Sequence, residues 1–579
     1  MAAPGPHSYD DEALPRPPPV RGKLPRWLLK VLENGEAVTF MAIAVGLLAI
    51  AIVVFVSGVH DLVVAPAWWS RCPSPWSWCG VTPASTAPDR RRLGLPVRGM
   101  CAAARLPHRE SMTVLLSRWQ FGITITYHFL FVPLTIGLAL LVAVMQTLAY
   151  RKRDGDWERL SRFFGMLFLI NLAMGIVTGI VQEFQFGMNW SDYSVFVGNI
   201  FGAPLAMEGL FAFFLESTFV GLWMFGRGRL SPRVHLATIW TVSVGSIVSA
   251  FFILAANSWM QHPVGYRVVD HKAELTDFWA VLRNSTLWWA FAHTVLASFL
   301  TGAMLVLGVS AWHLLKGRDT QAFRRSARLS AAFGFIISIL VIFSGDFQAR
   351  LFESQQPMKM AAAEALYHTT TGASFSLLTI GNLSGIPIFQ IRVPHLESLI
   401  ADLSWNGKVD GIYNIQHAEV LRYGPGSYIP VIWVTYWGFR IMVGLGFLML
   451  AATAWTCWLS RRRAQDRLRR SRWTLRVLVA CIAAPFLANT AGWIFTEMGR
   501  QPWIVYGLLR TDQAFSPSVS ATDVAITLGL FVLLYTVLGI IDGLLMTRTA
   551  RHGLGPRDEG RPPQQEQGQA GETSHDLVY

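Results

Sequence analysis

From Ser117 onward the chain alternates long apolar runs with short charged ones. The apolar runs fall near 120–149, 163–186, 202–226, 235–259, 286–314, 329–346, 431–459, 475–499 and 520–546. A helix needs about 20 mostly apolar residues to cross a hydrocarbon layer of about 30 Å. A further stretch, 37–59 (AVTFMAIAVGLLAIAIVVFVSGV), contains no charge and is also long enough. The pattern predicts an all-α fold, a polytopic membrane helical bundle. It would have nine core transmembrane helices plus a candidate extra helix near the N-terminus.

The polar segments between the runs set a direction. RKRDGDWERLSR, GRGRLSPR, KGRDTQAFRRSAR and RRRAQDRLRRSRWTLR follow the first, third, fifth and seventh runs and are strongly basic, whereas 187–201 has neither Lys nor Arg. Basic loops stay in the cytoplasm, so the core starts outside, ends inside and carries one large outer loop, 347–430. Composition agrees, since 52% of the 579 residues are hydrophobic and only 15% charged, against about 25% charged in soluble proteins. The net charge of +13 is gathered in the basic loops and reports topology, not nucleic-acid binding.

The flanks differ from the core, 112–546. Residues 1–36 are Pro-rich and read as disordered; Lys23, Arg26 and Lys30 ahead of 37–59 favour a cytoplasmic N-terminus, and the run itself, long for a signal peptide, reads as an uncleaved transmembrane anchor. Residues 60–111 form an irregular extension without periodic pattern, and Met112 offers a competing start that would remove everything before it. Residues 547–579 read as a disordered cytoplasmic tail. Of five cysteines, Cys457 and Cys481 lie in apolar runs, while Cys72, Cys79 and Cys101 lack CxxC spacing. That leaves no signal for zinc, an iron–sulfur cluster or covalently attached haem.

Chemistry enters with GAPLAMEGLFAFFLEST (202–218), which is apolar enough to span yet carries Glu208 and Glu216. An intramembrane charge costs roughly 2.5–3.5 kcal/mol on the mildest scale and normally faces a partner or a proton path. Eight residues of helix amount to about 12 Å of rise and roughly 80° of rotation, so the two acids share a broad face at different depths. His128, His293 and Met442 lie within spans, and Glu183 and Glu497 at the outer ends of theirs. All fall in the outer half of the membrane, and Glu216 alone lies nearer the middle. A single buried histidine is commonly a hydrogen-bonded core residue and a single Met is packing, but His and Met together resemble axial haem ligands. Arg440, two residues before Met442, needs an anion, for which a haem propionate is a natural candidate.

The stretches that hold these residues resemble subunit I of the cytochrome bd family of quinol oxidases. They are SRWQFGITITYHFLFVPLTIGL, QEFQFGMNWSDYSVFVGNIFGAPLAMEGLFAFFLESTFVGL, ANSWMQHPVG, AHTVLASFLTGAM, GFRIMVGLGFL and GWIFTEMGRQPW, spread in the family's order over the core. The resemblance implies His293 and Met442 as ligands of a low-spin haem b, with His128 and Glu497 ligating two high-spin haems. Glu208 would lie beside them as a ligand or as the acid serving bound dioxygen, and Glu216 would be a proton-pathway acid. Arg118, Glu183, Arg440, Trp493 and Arg500 would form the haem environment. In QPMKMAAAEALYHT, Lys359 and Glu364 match the quinol-site pair. Five residues apart on a helix they diverge by about 140°, so a headgroup between them requires irregular backbone.

The implied cofactors are two haem b and one haem d, or a third haem b, with quinol and dioxygen as substrates. The implied partners are a second membrane subunit, a small single-span accessory subunit and the lipid bilayer of a bacterial cell membrane. Two rival classes remain open, a haem-binding conduit or sensor without oxidase activity and a secondary transporter. Against transport, no repeat between halves and no pair of Gly/Pro-broken spans is found.

Overall fold

The computed structural model describes residues 108–555 apart from 382, 384–386 and 462–466. The expected segments 1–36 and 37–59, most of the 60–111 extension and the tail beyond 555 lie outside the described residues. Among the described residues, nine helices are long and apolar enough to cross a membrane. The first six are α1 (His108–Lys152), α2 (Gly155–Asn189), α3 (Ser191–Phe225), α4 (Pro232–Gln261), α5 (Ser285–Lys316) and α6 (Thr320–Gln355). Three short helices follow in the large connection, α7 (Pro357–Glu364), α8 (Leu396–Asp402) and α9 (Ile412–Tyr423). The last spans are α10 (Ile432–Leu459), α11 (Arg472–Met498) and α12 (Ala521–His552). Among the described residues, short antiparallel two-stranded ladders occupy only the connections on the side away from the basic loops.

The helices outrun the apolar windows. The segment 187–201, expected as an outer loop, is almost wholly helical, and Trp190 alone separates α2 from α3. There Ser194 Oγ donates to the Phe186 carbonyl at 2.8 Å across the junction. Likewise α1 begins at His108 and α12 continues to His552. Hydropathy marks where lipid stops, but a helix satisfies its own backbone hydrogen bonds and can continue past that point.

The basic connections gather at one end. Arg159 pairs with Asp319 at 2.9 Å and Arg325 with Asp154 at 2.6 Å, which ties the α1–α2 turn to the α5–α6 turn. Arg318 and His313 reach the Arg551 and Ala550 carbonyls at the end of α12.

The centre of the bundle is α1 against α5. Their membrane windows are 67% and 78% buried, against 6% for α3 and 11% for α12, so the acid-bearing α3 lies on the perimeter. The central pair crosses at Gly137 and Gly302. A Cβ on Gly137 would sit 2.2 Å from the Ser298 carbonyl oxygen, and one on Gly302 would sit 2.4 Å from the Gly137 carbonyl carbon. Glycine at both positions lets the two backbones touch, and that contact supplies the packing that lipid cannot drive. Gly302→Ala is expected to lower the stability of the solubilised protein by about 1–3 kcal/mol, read as a loss of thermal unfolding temperature. Gly202→Ala, with no atom within 4 Å of its new methyl, should stay within about 0.5 kcal/mol of the parent.

Candidate functional site

Four polar side chains on α4 organise the acids. Ser246, Ser249, Asn257 and Gln261 fall within about 120° of one another around the helix. Ser249 Oγ donates to Glu208 at 2.7 Å and Ser246 Oγ to Glu216 at 2.6 Å. The two acids meet one stripe because Glu208–Phe213 forms a π-helical turn. A π turn carries one extra residue, so eight residues wind about as far as seven, roughly 20° short of two full turns. The 80° divergence expected of a regular helix is thereby cancelled. The serine anchors are one turn apart, about 4.5 Å of rise. On the far side of α3, Leu210, Phe211 and Phe214 are exposed.

Higher on α4, Asn257 Nδ2 donates to Glu497 at 3.1 Å, and Arg500 closes on the other carboxylate oxygen at 2.5 Å. Gln261 Nε2 donates to Asn257 Oδ1 at 2.8 Å, and Lys359 Nζ donates to Gln261 Oε1 at 3.3 Å. Lys359 in the outer connection is thus wired to Glu497 at the outer end of α11. It is fully buried, with its ammonium 4.2 Å from the Phe352 ring centroid. Burial, reinforced by the Arg500 charge and opposed by Glu497, pushes Lys359 well below the usual lysine value.

Each candidate histidine is held by the next helix. His128 Nδ1 lies 3.0 Å from Thr178 Oγ1, and His293 Nδ1 lies 3.1 Å from Ser344 Oγ. Neither Nε2 has a hydrogen-bond partner among the described residues. Met442 Sδ packs on Gly492, where a Cβ would come within 2.7 Å. Trp493, the next residue, stacks on Phe129 with ring centroids 5.1 Å apart, so the neighbourhoods of Met442 and His128 adjoin. Arg118 donates to Gln501 at 3.2 Å, whereas Glu183 lies on an exposed face of α2.

Arg440 has a partner within the protein. Its Nη2 pairs with Glu364 at 2.7 Å, both side chains being buried, and its guanidinium stacks against Phe375, Tyr436 and Phe439. Its first anion is therefore a protein carboxylate. Lys359 and Glu364 are not brought together as a pair. Helix α7 is regular, and the two side chains leave it in different directions, Lys359 toward Gln261 and Glu364 toward Arg440 and the Ser376 amide. Glu397 on α8, not singled out from sequence, is buried near the same guanidinium. Burial, with Glu364 and Glu353 adding to it, pushes Glu397 well above the usual carboxylate range.

The donor set suits a haem-type cofactor better than a bare ion. Among the described residues no three His, Cys, Asp or Glu converge on a metal position. The candidate ligands instead stand singly on different helices, as axial ligation needs. Arg440 and Arg500 each keep Nε and Nη1 buried without a partner among the described residues, which fits carboxylates such as propionates.

Comparison with known proteins gives the same direction. Residues 116–554 match the family model described as cytochrome bd terminal oxidase subunit I. The chain belongs to that family. It is 45% identical over 442 residues to the Bacillus subtilis (strain 168) cytochrome bd ubiquinol oxidase subunit 1, covering 76% of this chain and 94% of that one. It is 36% identical over 511 residues to the Escherichia coli (strain K12) cytochrome bd-II ubiquinol oxidase subunit 1, covering 78% and 99%. The bd oxidase structure from Geobacillus thermodenitrificans superposes with a TM-score of 0.71 at 28% identity, covering 77% of this chain and 99% of that one. The family is that of quinol:oxygen oxidoreductases of respiratory electron transport, and the chain is a multi-pass membrane subunit of this class.

Sequence reading missed Thr178, Ser344, Ser246 and Ser249. The serines had a signal, because Ser243, Ser246 and Ser249 recur every three residues in an otherwise apolar run. For the buried Arg440–Glu364 pair, Arg440→Leu is expected to destabilise the protein by about 3–5 kcal/mol by stranding a buried carboxylate. The double change Arg440→Leu/Glu364→Leu should recover most of that loss in thermal unfolding.

Proposed function

We propose that this chain is the haem-bearing, quinol-oxidising subunit of a respiratory terminal oxidase. In this reading quinol is oxidised at the outer face, and dioxygen is reduced to water with protons taken from the cytoplasm. The observation that carries it is the pair of intramembrane histidines, each engaged through Nδ1 with Nε2 left available, in a chain of this family. His293 and Met442 would hold a low-spin haem b, and His128 and Glu497 two high-spin haems, one of them haem d or a further haem b. One-electron transfer and dioxygen reduction are the chemistry that bound haem supplies. Arg440 and Arg500 would accept propionates on their unpartnered nitrogens, with Arg118 and Glu183 in the same outer region and Trp493 bridging the His128 and Met442 neighbourhoods.

The remaining steps belong to side chains. Glu364, with Lys359, would receive the quinol headgroup. The two do not face one another, so the headgroup would contact them from separate sides of α7, with quinol protons leaving outward. Glu216 would take protons from the cytoplasmic side and pass them to Glu208. Ser246 and Ser249, three residues apart on α4, each hold one of the two carboxylates. The complex would contain a second membrane subunit, with a single-span accessory peptide, in a bacterial cell membrane. The thinly covered α3 and α12 supply surface for such neighbours and for lipid.

A reduced-minus-oxidised visible spectrum of membranes expressing the complex tests the reading. Low-spin and high-spin haem features together are expected. A low-spin haem alone would favour an electron conduit, and no haem signal would end the proposal. In the active complex, Glu216→Gln should cut proton uptake and turnover by about 10²-fold. Undiminished turnover and membrane-potential generation would remove Glu216 from the proton route.

A further inference from the structure

Thr178–Gly179 on α2 and Ser344–Gly345 on α6 are built alike. In each, a buried hydroxyl faces the Nδ1 of a histidine on the preceding span, 50 residues earlier for Thr178 and 51 for Ser344. In each, the next residue is a glycine beneath the ring edge. A Cβ on Gly179 would lie 3.1 Å from His128 Cε1, and one on Gly345 would lie 3.2 Å from His293 Cε1.

The hydroxyl's own proton decides what the histidine does. Thr178 Oγ1 donates to the Met174 carbonyl at 2.9 Å, and Ser344 Oγ donates to the Val341 carbonyl at 2.9 Å. A hydroxyl has one proton and two lone pairs, so with that proton directed at the carbonyl each of these oxygens accepts from the imidazole. The ring must then donate from Nδ1, and the neutral imidazole carries its free lone pair on Nε2. A glycine at the following position lets the ring approach closely enough for this bond.

We propose that Thr178–Gly179 and Ser344–Gly345 are matched seats that lock His128 and His293 in the Nδ1-protonated tautomer. Each seat presents Nε2 as a metal ligand and sets the orientation of its ring. Thr178 and Ser344 are positioning residues, acting through the histidines. The inference rests on the haem reading above and deepens it, since each seat governs only its own haem. Outer-shell partners of metal-bound histidines typically account for 10- to 100-fold in affinity.

The test uses the assembled complex and reads haem content, midpoint potential and electron paramagnetic resonance of each haem. Thr178→Val keeps the volume and removes the acceptor. It should weaken retention of the His128-linked haem by about 10- to 100-fold and shift its potential, leaving the His293-linked haem unchanged. Ser344→Ala should do the reverse. Thr178→Ser and Ser344→Thr should restore parental spectra, and Gly345→Ala should alter the low-spin signal by tilting the ring. If Thr178→Val and Ser344→Ala leave potentials, signals and haem content at parental values, the seats have no such role. His128→Ala and His293→Ala separate the two levels. Full haem content in both would overturn the haem reading itself, whereas haem loss there with silent seat variants would overturn only the seats.

Discussion

One stripe of polar side chains on α4 holds the polar centre of this protein together. In hydrocarbon, water cannot satisfy a buried carboxylate or amide, so each must find its partner on another helix. Ser246 and Ser249 take the two acids of α3, Asn257 takes Glu497 of α11, and Gln261 takes Lys359 of the outer connection. Three separate parts of the chain are thereby fixed against one helix at successive heights. The tight backbone contact between α1 and α5 gives the bundle its centre, while the α4 stripe determines which chemistry lies beside it.

The outer layer follows from the same constraint. The short helix α7 carries two ionisable residues that a regular helix must point apart, and each has a dedicated partner network on a different wall. Lys359 continues the α4 line toward Glu497, and Glu364 closes on Arg440 of α10. This helix therefore has two electrically distinct sides. One holds a lysine whose charge is disfavoured by burial, and the other holds a carboxylate cluster sharing one guanidinium.

Much of the fold was legible because a lipid environment imposes a coarse rule. Among the described residues the nine apolar runs of the core became nine helices, and the basic segments gathered at one end. The candidate residues were legible for a related reason. An acid, a histidine or an arginine inside an apolar run stands out, and its motif adds identity. The errors arose where the rule is silent. Hydropathy could not show that 187–201 remains helical, since helix ends depend on backbone partners and not on lipid.

By itself, the sequence determined the membrane class, the family and the identity of the unusual polar residues. These follow from composition and local pattern. Only the tertiary structure decided how those residues pair. GAPLAMEGLFAFFLEST contains its two acids whatever the fold, but a single π turn aligns them, and serines on the neighbouring helix receive both. Arg440 needed an anion from any viewpoint, yet its partner lies 76 residues away in an outer helix. The Nδ1 partner of each histidine is a hydroxyl about 50 residues downstream. Hydrogen bonds of this kind join side chains that are distant along the chain, so spacing carries no record of them.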